Sequence, residues 1–169
     1  SIGCGPIREL TEELSLRLAP QQELTVVCGG NEELHAKLQK RFGDDRHMHI
    51  HGLVDNVPQL MHSADLFITK PGGLSTTEAA ACGLPMVLMD TVAGCEGHNL
   101  TFFLQRGGAV TADTPRLLAD TAMALLADPE RLWAMSDALR SPDAQTPAEQ
   151  IYDCLCRPQT RLDTAQRYA

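Results

Sequence analysis

Apolar residues follow two alternating patterns along most of the chain. Ile7, Leu10 and Leu14 recur at helical spacing, and short continuous apolar runs of the kind found in buried parallel strands follow further on. Because the helical and strand patterns alternate, the sequence predicts an α/β fold, a Rossmann-like doubly wound parallel sheet flanked by helices. The predicted strands are residues 24–28, 47–54, 66–69 and 86–89.

Capping residues and prolines mark where the predicted helices begin. Asn31 is placed to cap a helix that carries acidic residues in its first turn. A helix from Asn99 to Arg106 is expected to stop at the glycine pair that follows. The C-terminal third is predicted to be helical, because three pairs combine a capping residue with a proline suited to the first helical position: Thr114-Pro115, Asp128-Pro129 and Thr146-Pro147.

Composition narrows the classes of protein to which the chain can belong. Its 169 residues suffice for one domain with a proper core, and a net charge of −8 argues against a nucleic-acid partner. No apolar run approaches the roughly 20 residues that cross a membrane, and the six cysteines show no metal-ligand spacing. The alternating His47, His49 and His51 suggest a metal site, but a solvated strand face or a position near a nucleobase pocket is favoured. A cytoplasmic protein without a metal is expected.

The stretch from Asp65 to Pro85 is the best candidate for a ligand site. A predicted strand, 66–69, runs into a Pro-Gly-Gly turn at 71–73, and the following hydroxyls at 75–77 are placed to cap a helix. Unpaired N–H groups at such a helix start face an anion. Glu78, expected in the first turn, suits a ribose diol. An ordinary strand-to-helix turn, with an acid favouring the helix dipole, is the alternative.

The first residues form a second glycine-rich loop, which opens onto a helix without a strand before it. In a doubly wound sheet such a loop follows the first, central strand, so we expect that this strand precedes Ser1 and is missing from the chain. A flexible start with chance glycines is the alternative interpretation.

Five motifs occur in an order that resembles one family. They resemble the C-terminal half of a GT-B glycosyltransferase of family 28, in the group of monogalactosyldiacylglycerol synthases and bacterial processive diacylglycerol glucosyltransferases. The resemblance covers residues 1–156 as a donor-binding domain and leaves 157–169 as a tail or a connection to an absent N-terminal acceptor domain. The motifs are Ser1-Ile2-Gly3-Cys4-Gly5, Gly52-Leu53-Val54, Lys70 to Glu78, Gly83-Leu84-Pro85 and Ala93 to Asn99.

The resemblance implies which part of a UDP-sugar each motif meets. Uracil would pair with the main chain near Leu53, the diphosphate would meet the two glycine loops, and Glu78 would hold the ribose. Glu96 and Asn99 would hold the sugar hydroxyls, with simple N-capping as the alternative, and Lys70 would offset diphosphate charge or be an ordinary surface lysine. The implied substrate-binding residues are Ser1, Gly3, Leu53, Val54, Gly73, Leu74, Ser75, Glu78, Gly94, Glu96 and Asn99.

The implied activity is inverting transfer of a hexose from a UDP-sugar to a lipid acceptor such as diacylglycerol. No cofactor is implied beyond the donor substrate, and the general base and the acceptor groove belong to the absent domain. The whole protein would associate peripherally with the cytoplasmic face of a membrane, and the fragment alone would be inactive. A sugar-nucleotide 2-epimerase and a non-catalytic nucleotide-binding module remain as alternatives. The sugar, the acceptor and the oligomeric state stay open.

Overall fold

The structure, a computed structural model, describes residues 6–89 and 95–140. Seven helices and five strands follow one another within these two ranges, alternating except that the last two elements are both helices. In chain order they are α1 (Ile7–Ser15), β1 (Leu24–Val27), α2 (Glu32–Phe42), β2 (Met48–His51), α3 (Val57–Ser63), β3 (Phe67–Thr69), α4 (Gly73–Cys82), β4 (Met86–Met89), α5 (Cys95–Arg106), β5 (Ala109–Ala112), α6 (Pro115–Leu126) and α7 (Pro129–Arg140).

All strand pairs in the described ranges are parallel. β1 pairs with β2, with Leu24 opposite Met48, and a second sheet has the order β3-β4-β5. The predicted α/β class with parallel strands flanked by helices is therefore confirmed. Instead of one continuous sheet there are two, because no strand of 6–89 or 95–140 lies between β1 and β3. The strand expected before Ser1 stays a prediction.

The central strand β4 is buried on both faces, which explains its uninterrupted apolar sequence. Val87 and Met89 belong to a core cluster with residues of α1 and α6, whereas Met86 and Leu88 belong to a cluster with residues of α4 and α5. Alternate side chains of a strand point to opposite faces, so helices cover both sides of this sheet. Each such side chain contributes about 1.5–3 kcal/mol when it is fully buried.

A third core cluster joins β1 and β2 to α2. It contains Val26, Cys28, Leu38, Phe42 and Met48. Cys28 is fully buried there, and this burial raises the pKa of its thiol. The cluster fixes α2 against the first sheet, and thereby fixes the turn that joins β1 to α2.

Several predicted boundaries were wrong. β2 ends at His51 instead of residue 54, and α5 begins at Cys95, four residues before Asn99. The strand β5 was not predicted at all, because its Ala-Val-Thr-Ala sequence is only partly buried, with Thr111 exposed, and has no strong apolar run.

None of the helices in the described part of the chain has the length and apolarity of a membrane span.

Candidate functional site

The glycine turn between β3 and α4 leaves the start of a helix without a side-chain cap. Gly72 is the N-cap residue, in an extended conformation with φ −74° and ψ 139°, and no acidic residue lies in the first turn. The first intrahelical bond joins the N–H of Thr76 to the carbonyl of Gly72 at 3.2 Å. The N–H groups of residues 73–75 come before that bond, so they have no acceptor within the helix.

The structure corrects two predictions about this turn. The hydroxyls of Ser75, Thr76 and Thr77 do not cap the helix, because α4 already begins at Gly73. Those of Thr76 and Thr77 donate backwards, at 2.7 Å each, to the carbonyls of Gly72 and Gly73. Glu78 is not in the first turn either. It is the sixth residue of α4, in the second turn, and it is exposed.

The start of α5 contacts this glycine turn. Asn99 donates a hydrogen bond from Nδ2 to the carbonyl of the buried Pro71 at 3.0 Å. A Cβ atom built on Gly73 would lie 3.8 Å from the same Nδ2, which places the Asn99 amide directly against the start of α4. The structure thus brings together two predicted site residues that are 26 positions apart in the sequence.

An ion pair lies beside the same turn. Lys70 donates from Nζ to Oε1 of Glu96 at 2.6 Å. A Cβ atom built on Gly72 would lie 3.6 Å from Cε of Lys70 and 3.9 Å from Oε1 of Glu96, so the pair lies next to the N-cap residue. The side chains are 47% and 35% exposed, and ion pairs this accessible contribute at most about 1 kcal/mol to folding. The pair is therefore better suited to holding charge near the helix start than to stabilising the fold.

The other predicted site residues lie at the first sheet or outside the described ranges. Leu53 and Val54 follow the carboxyl end of β2, where the N–H of Gly29 donates to the carbonyl of Gly52 at 3.1 Å. The side chain of Leu53 is 81% exposed, and that of Leu74, on α4, is 82% exposed. No contact joins Leu53 or Val54 to the glycine turn of α4 among the hydrogen bonds and ion pairs of the described residues. Outside these residues lie Ser1, Gly3 and Gly94.

Two of the three alternating histidines, His47 just before β2 and His49 within it, have nearby partners. Nε2 of His49 lies 3.0 Å from a carboxylate oxygen of Glu23, and Nδ1 of His47 lies 3.1 Å from the carbonyl of Gln22. Within 6–89 and 95–140, no three histidine, cysteine or carboxylate side chains converge as a metal site requires.

Sequence reasoning missed the pairing of Lys70 with Glu96 and the anchoring of Asn99 on Pro71. Lys70 was interpreted either as a partner of the diphosphate or as a surface lysine, and neither interpretation included a carboxylate from the next helix. No local pattern indicates such contacts, because they join the end of β3 to the start of α5.

Comparison with known proteins agrees with the resemblance found in the sequence. The family described as glycosyl transferases group 1 matches residues 7–128. The chain belongs to this family. Processive diacylglycerol beta-glucosyltransferases of Bacillus cereus and Bacillus thuringiensis are 36% and 35% identical to it over 155 residues. The Bacillus cereus match covers 89% of this chain and 39% of the relative, so the chain spans about two fifths of that length.

Solved structures support the same fold for this member of the group 1 family. HepE of Anabaena in complex with UDP superimposes with a TM-score of 0.67 at 22% identity, covering 92% of this chain and 46% of HepE. The lipopolysaccharide glycosyltransferase WaaG superimposes with a TM-score of 0.66 at 19% identity, covering 94% of this chain and 45% of WaaG. These neighbours are GT-B glycosyltransferases, so the predicted fold family is confirmed.

Proposed function

We propose that this chain is the donor-binding half of an inverting glycosyltransferase that moves a hexose from a UDP-sugar to a lipid acceptor such as diacylglycerol. The observation that carries the proposal is the uncapped start of α4, which meets Glu96 and Asn99 of α5 where β3 and β4 end. Ligands of open α/β sheets bind at the carboxyl ends of the strands. The helix start offers N–H groups for a diphosphate, and the two α5 side chains offer groups for sugar hydroxyls.

The known relatives support the lipid acceptor and the UDP-sugar donor. The Bacillus relatives are named processive diacylglycerol beta-glucosyltransferases, and HepE of Anabaena has been crystallised with UDP and with UDP-glucose. The chain spans only 39% of the length of the Bacillus cereus relative. We therefore assign only donor binding to residues 1–156, and we assign the acceptor groove and the general base to a second domain.

In the proposed reaction, an acceptor hydroxyl attacks the anomeric carbon of the donor sugar. A new glycosidic bond forms as the bond between that carbon and the diphosphate oxygen breaks, and the general base takes the hydroxyl proton. UDP leaves with the bonding electrons, so negative charge grows on the diphosphate. In this proposal the N–H groups at the start of α4 bind the diphosphate as this charge develops and favour the transition state. The UDP-sugar is itself the donor substrate, so the step uses no cofactor.

The remaining site assignments belong to the same proposal. Ser1 and Gly3 would meet the diphosphate, Leu53 and Val54 would meet uracil, and Glu78 would accept hydrogen bonds from the ribose. Gly73, Leu74 and Ser75 supply the helix-start N–H groups, and Gly94, two positions before Glu96 in the sequence, is the remaining assigned residue. A lipid acceptor implies peripheral attachment of the whole protein to a membrane from the cytoplasm.

Nucleobase selectivity tests the donor assignment. Calorimetric titration of the whole protein that contains this chain should show binding of UDP and much weaker binding of ADP. Glu78→Ala should weaken UDP binding about tenfold, because a ribose ligand is lost. Glu32→Ala, which removes another exposed helical glutamate, on α2, serves as the control and should leave the affinity unchanged. Equal affinity for UDP and ADP, or no binding by folded protein, contradicts the proposal.

Product analysis tests the reaction itself. The whole protein should transfer the sugar of UDP-glucose or another UDP-hexose to diacylglycerol and invert the anomeric configuration. Formation of an epimerised UDP-sugar without an acceptor would favour the epimerase alternative. Binding of UDP without any product would favour a nucleotide-binding module.

A further inference from the structure

The Lys70–Glu96 ion pair adds a function to the proposed donor site that neither residue has alone. We propose that Lys70 is a positioning residue which holds the Glu96 carboxylate beside the α4 glycine turn and offsets its charge, so that the pair determines how well the turn accepts a nucleoside diphosphate. This inference rests on the proposed donor function. It begins from the 2.6 Å contact between Nζ of Lys70 and Oε1 of Glu96.

Charge makes the position of this pair important. A carboxylate near the start of α4 interacts favourably with the helix dipole, but it repels a diphosphate that approaches the same N–H groups. The Glu96 carboxylate oxygen lies 3.9 Å from the position of a Cβ atom on Gly72, the N-cap residue. An uncompensated Glu96 would therefore oppose binding of the diphosphate. Lys70 removes most of this repulsion while it keeps the carboxylate in place for the sugar.

A simpler role for Lys70 is direct contact with the diphosphate, independent of Glu96. The two roles differ in one respect. If Lys70 acts through Glu96, then removing the carboxylate also removes the need for the lysine. If Lys70 acts only on the diphosphate, its loss is equally damaging with or without Glu96.

The decisive experiment is a double-mutant cycle in the whole protein, with UDP as the titrated probe. We expect Lys70→Met to lower the UDP affinity about tenfold and Glu96→Gln to change it by less than about threefold. The double variant should bind UDP within about threefold of the wild type, because the Glu96 carboxylate that Lys70 compensates is also gone. Lys70→Arg, which retains the positive charge, should also stay within about threefold. The rescue by Glu96→Gln should shrink at high salt, since exposed charges are screened.

The chain contains a matched control for this cycle. Lys37 and Glu33 form a second lysine–glutamate pair with the same 2.6 Å separation, on the exposed face of α2. Lys37→Met and Glu33→Gln change the net charge as the site variants do, so they test whether net charge alone affects UDP binding. Both should bind UDP as the wild type does. Thermal unfolding of all the variants identifies any that fail to fold.

Two outcomes overturn the inference separately from the proposed function. If Lys70→Met and the double variant lose the same factor of UDP affinity, Lys70 does not act through Glu96, although the donor site stands. An equal loss in Lys37→Met would show a general effect of net charge. If the folded wild type does not bind UDP, the proposed function and this inference fail together.

Discussion

Two turns in this chain follow a parallel strand, contain glycine and start a helix, yet they treat the helix start in opposite ways. At the start of α2, Asn31 accepts a hydrogen bond from the N–H of Leu34 at 3.0 Å, and Glu32 and Glu33 lie in the first turn. At the start of α4, Gly72 offers no side-chain cap and the first turn has no acidic residue. The start of α2 thus has a side-chain cap and acidic residues that match the helix dipole, whereas the start of α4 has neither.

The difference between these two helix starts indicates which feature distinguishes a purely structural turn from a ligand-binding turn. Glycine occurs in both turns, so glycine alone does not distinguish them. The distinguishing feature is whether the N–H groups and the helix dipole are matched locally. At α4 an anion described nearby, Glu96, comes from a different helix and is paired with Lys70. A helix start of this kind can accept a bound anion such as a diphosphate, whereas the capped start of α2 cannot.

Placing a side-chain cap at the start of α4 should strongly weaken UDP binding without harming the fold. Gly72→Asp gives α4 a side-chain cap, and the observed φ and ψ at this position suit a residue other than glycine. We expect the free energy of unfolding to stay equal or to rise by a few tenths of a kcal/mol. UDP affinity should fall about 100-fold, which corresponds to about 2.7 kcal/mol, because the new carboxylate occupies the anion position. Calorimetric titration and urea unfolding measure the two effects.

Gly72→Asn separates the cap from its charge. Asparagine caps as aspartate does but is neutral, so UDP affinity should fall only about tenfold. There is room for either side chain, since a Cβ atom at this position makes only ordinary contacts of 3.6 and 3.9 Å. Wild-type affinity for UDP in a folded Gly72→Asp protein would show that the turn does not bind the diphosphate.

Removing the Asn31 cap from the start of α2 should have the opposite effects, because it should weaken the fold and leave UDP binding unchanged. Asn31→Ala deletes the acceptor of the Leu34 N–H and should lower the free energy of unfolding by about 1 kcal/mol. Asn31→Asp keeps a capping oxygen and should cost less than about 0.5 kcal/mol. UDP affinity should be unchanged in both, as measured by the same titration. A loss of affinity in Asn31→Ala would mean that both turns contribute to one site.

The open helix start depends on its own hydroxyl for stability. Thr76 is fully buried and donates to the carbonyl of Gly72 at 2.7 Å, whereas Thr77 makes the equivalent bond to Gly73 but is exposed. Thr76→Val should cost between about 0.5 and 1 kcal/mol, because the Gly72 carbonyl keeps its bond to the Thr76 N–H. Thr77→Val should cost less, since water replaces the lost bond. Equal costs in urea unfolding would contradict this assignment.

The two turns also show what the sequence can predict. The Asn31 cap was predicted correctly, because capping joins residues three positions apart and needs only local information. The capping role given to the hydroxyls at 75–77 was wrong. Glycines 72 and 73 let α4 begin earlier, so these hydroxyls fall inside the helix and bond to preceding carbonyls. Several neighbouring residues that could each cap a helix do not indicate at which residue the helix begins.

Strands with a continuous apolar run were predicted better than strands without one. The contacts between residues distant in sequence were not predicted. β4 was predicted over 86–89 because burial on both faces requires a continuous apolar run. β5 was missed because a partly buried strand of small residues lacks that run. The pairing of Lys70 with Glu96 depends on how α5 packs beside β3, which residue order alone does not specify. The assignments carried by the motif resemblance stay predictions.

The smallest effect we expect is an acid-dependent loss of stability at the capped turn. A hydrogen bond from Lys37 lowers the pKa of Glu33 in the first turn of α2, with a favourable charge interaction as a second cause. A carboxyl group whose pKa is lower in the folded state stabilises the fold above its unfolded pKa, and that stability is lost as the pH falls through the folded pKa. Glu33→Gln should therefore flatten the fall in Tm on acidification below about pH 5. Because Glu33 is exposed, this change in the slope of Tm against pH should lie near the limit of detection. A marked change would mean that the Glu33 carboxylate stabilises the start of α2 more than its ion pair with Lys37 implies.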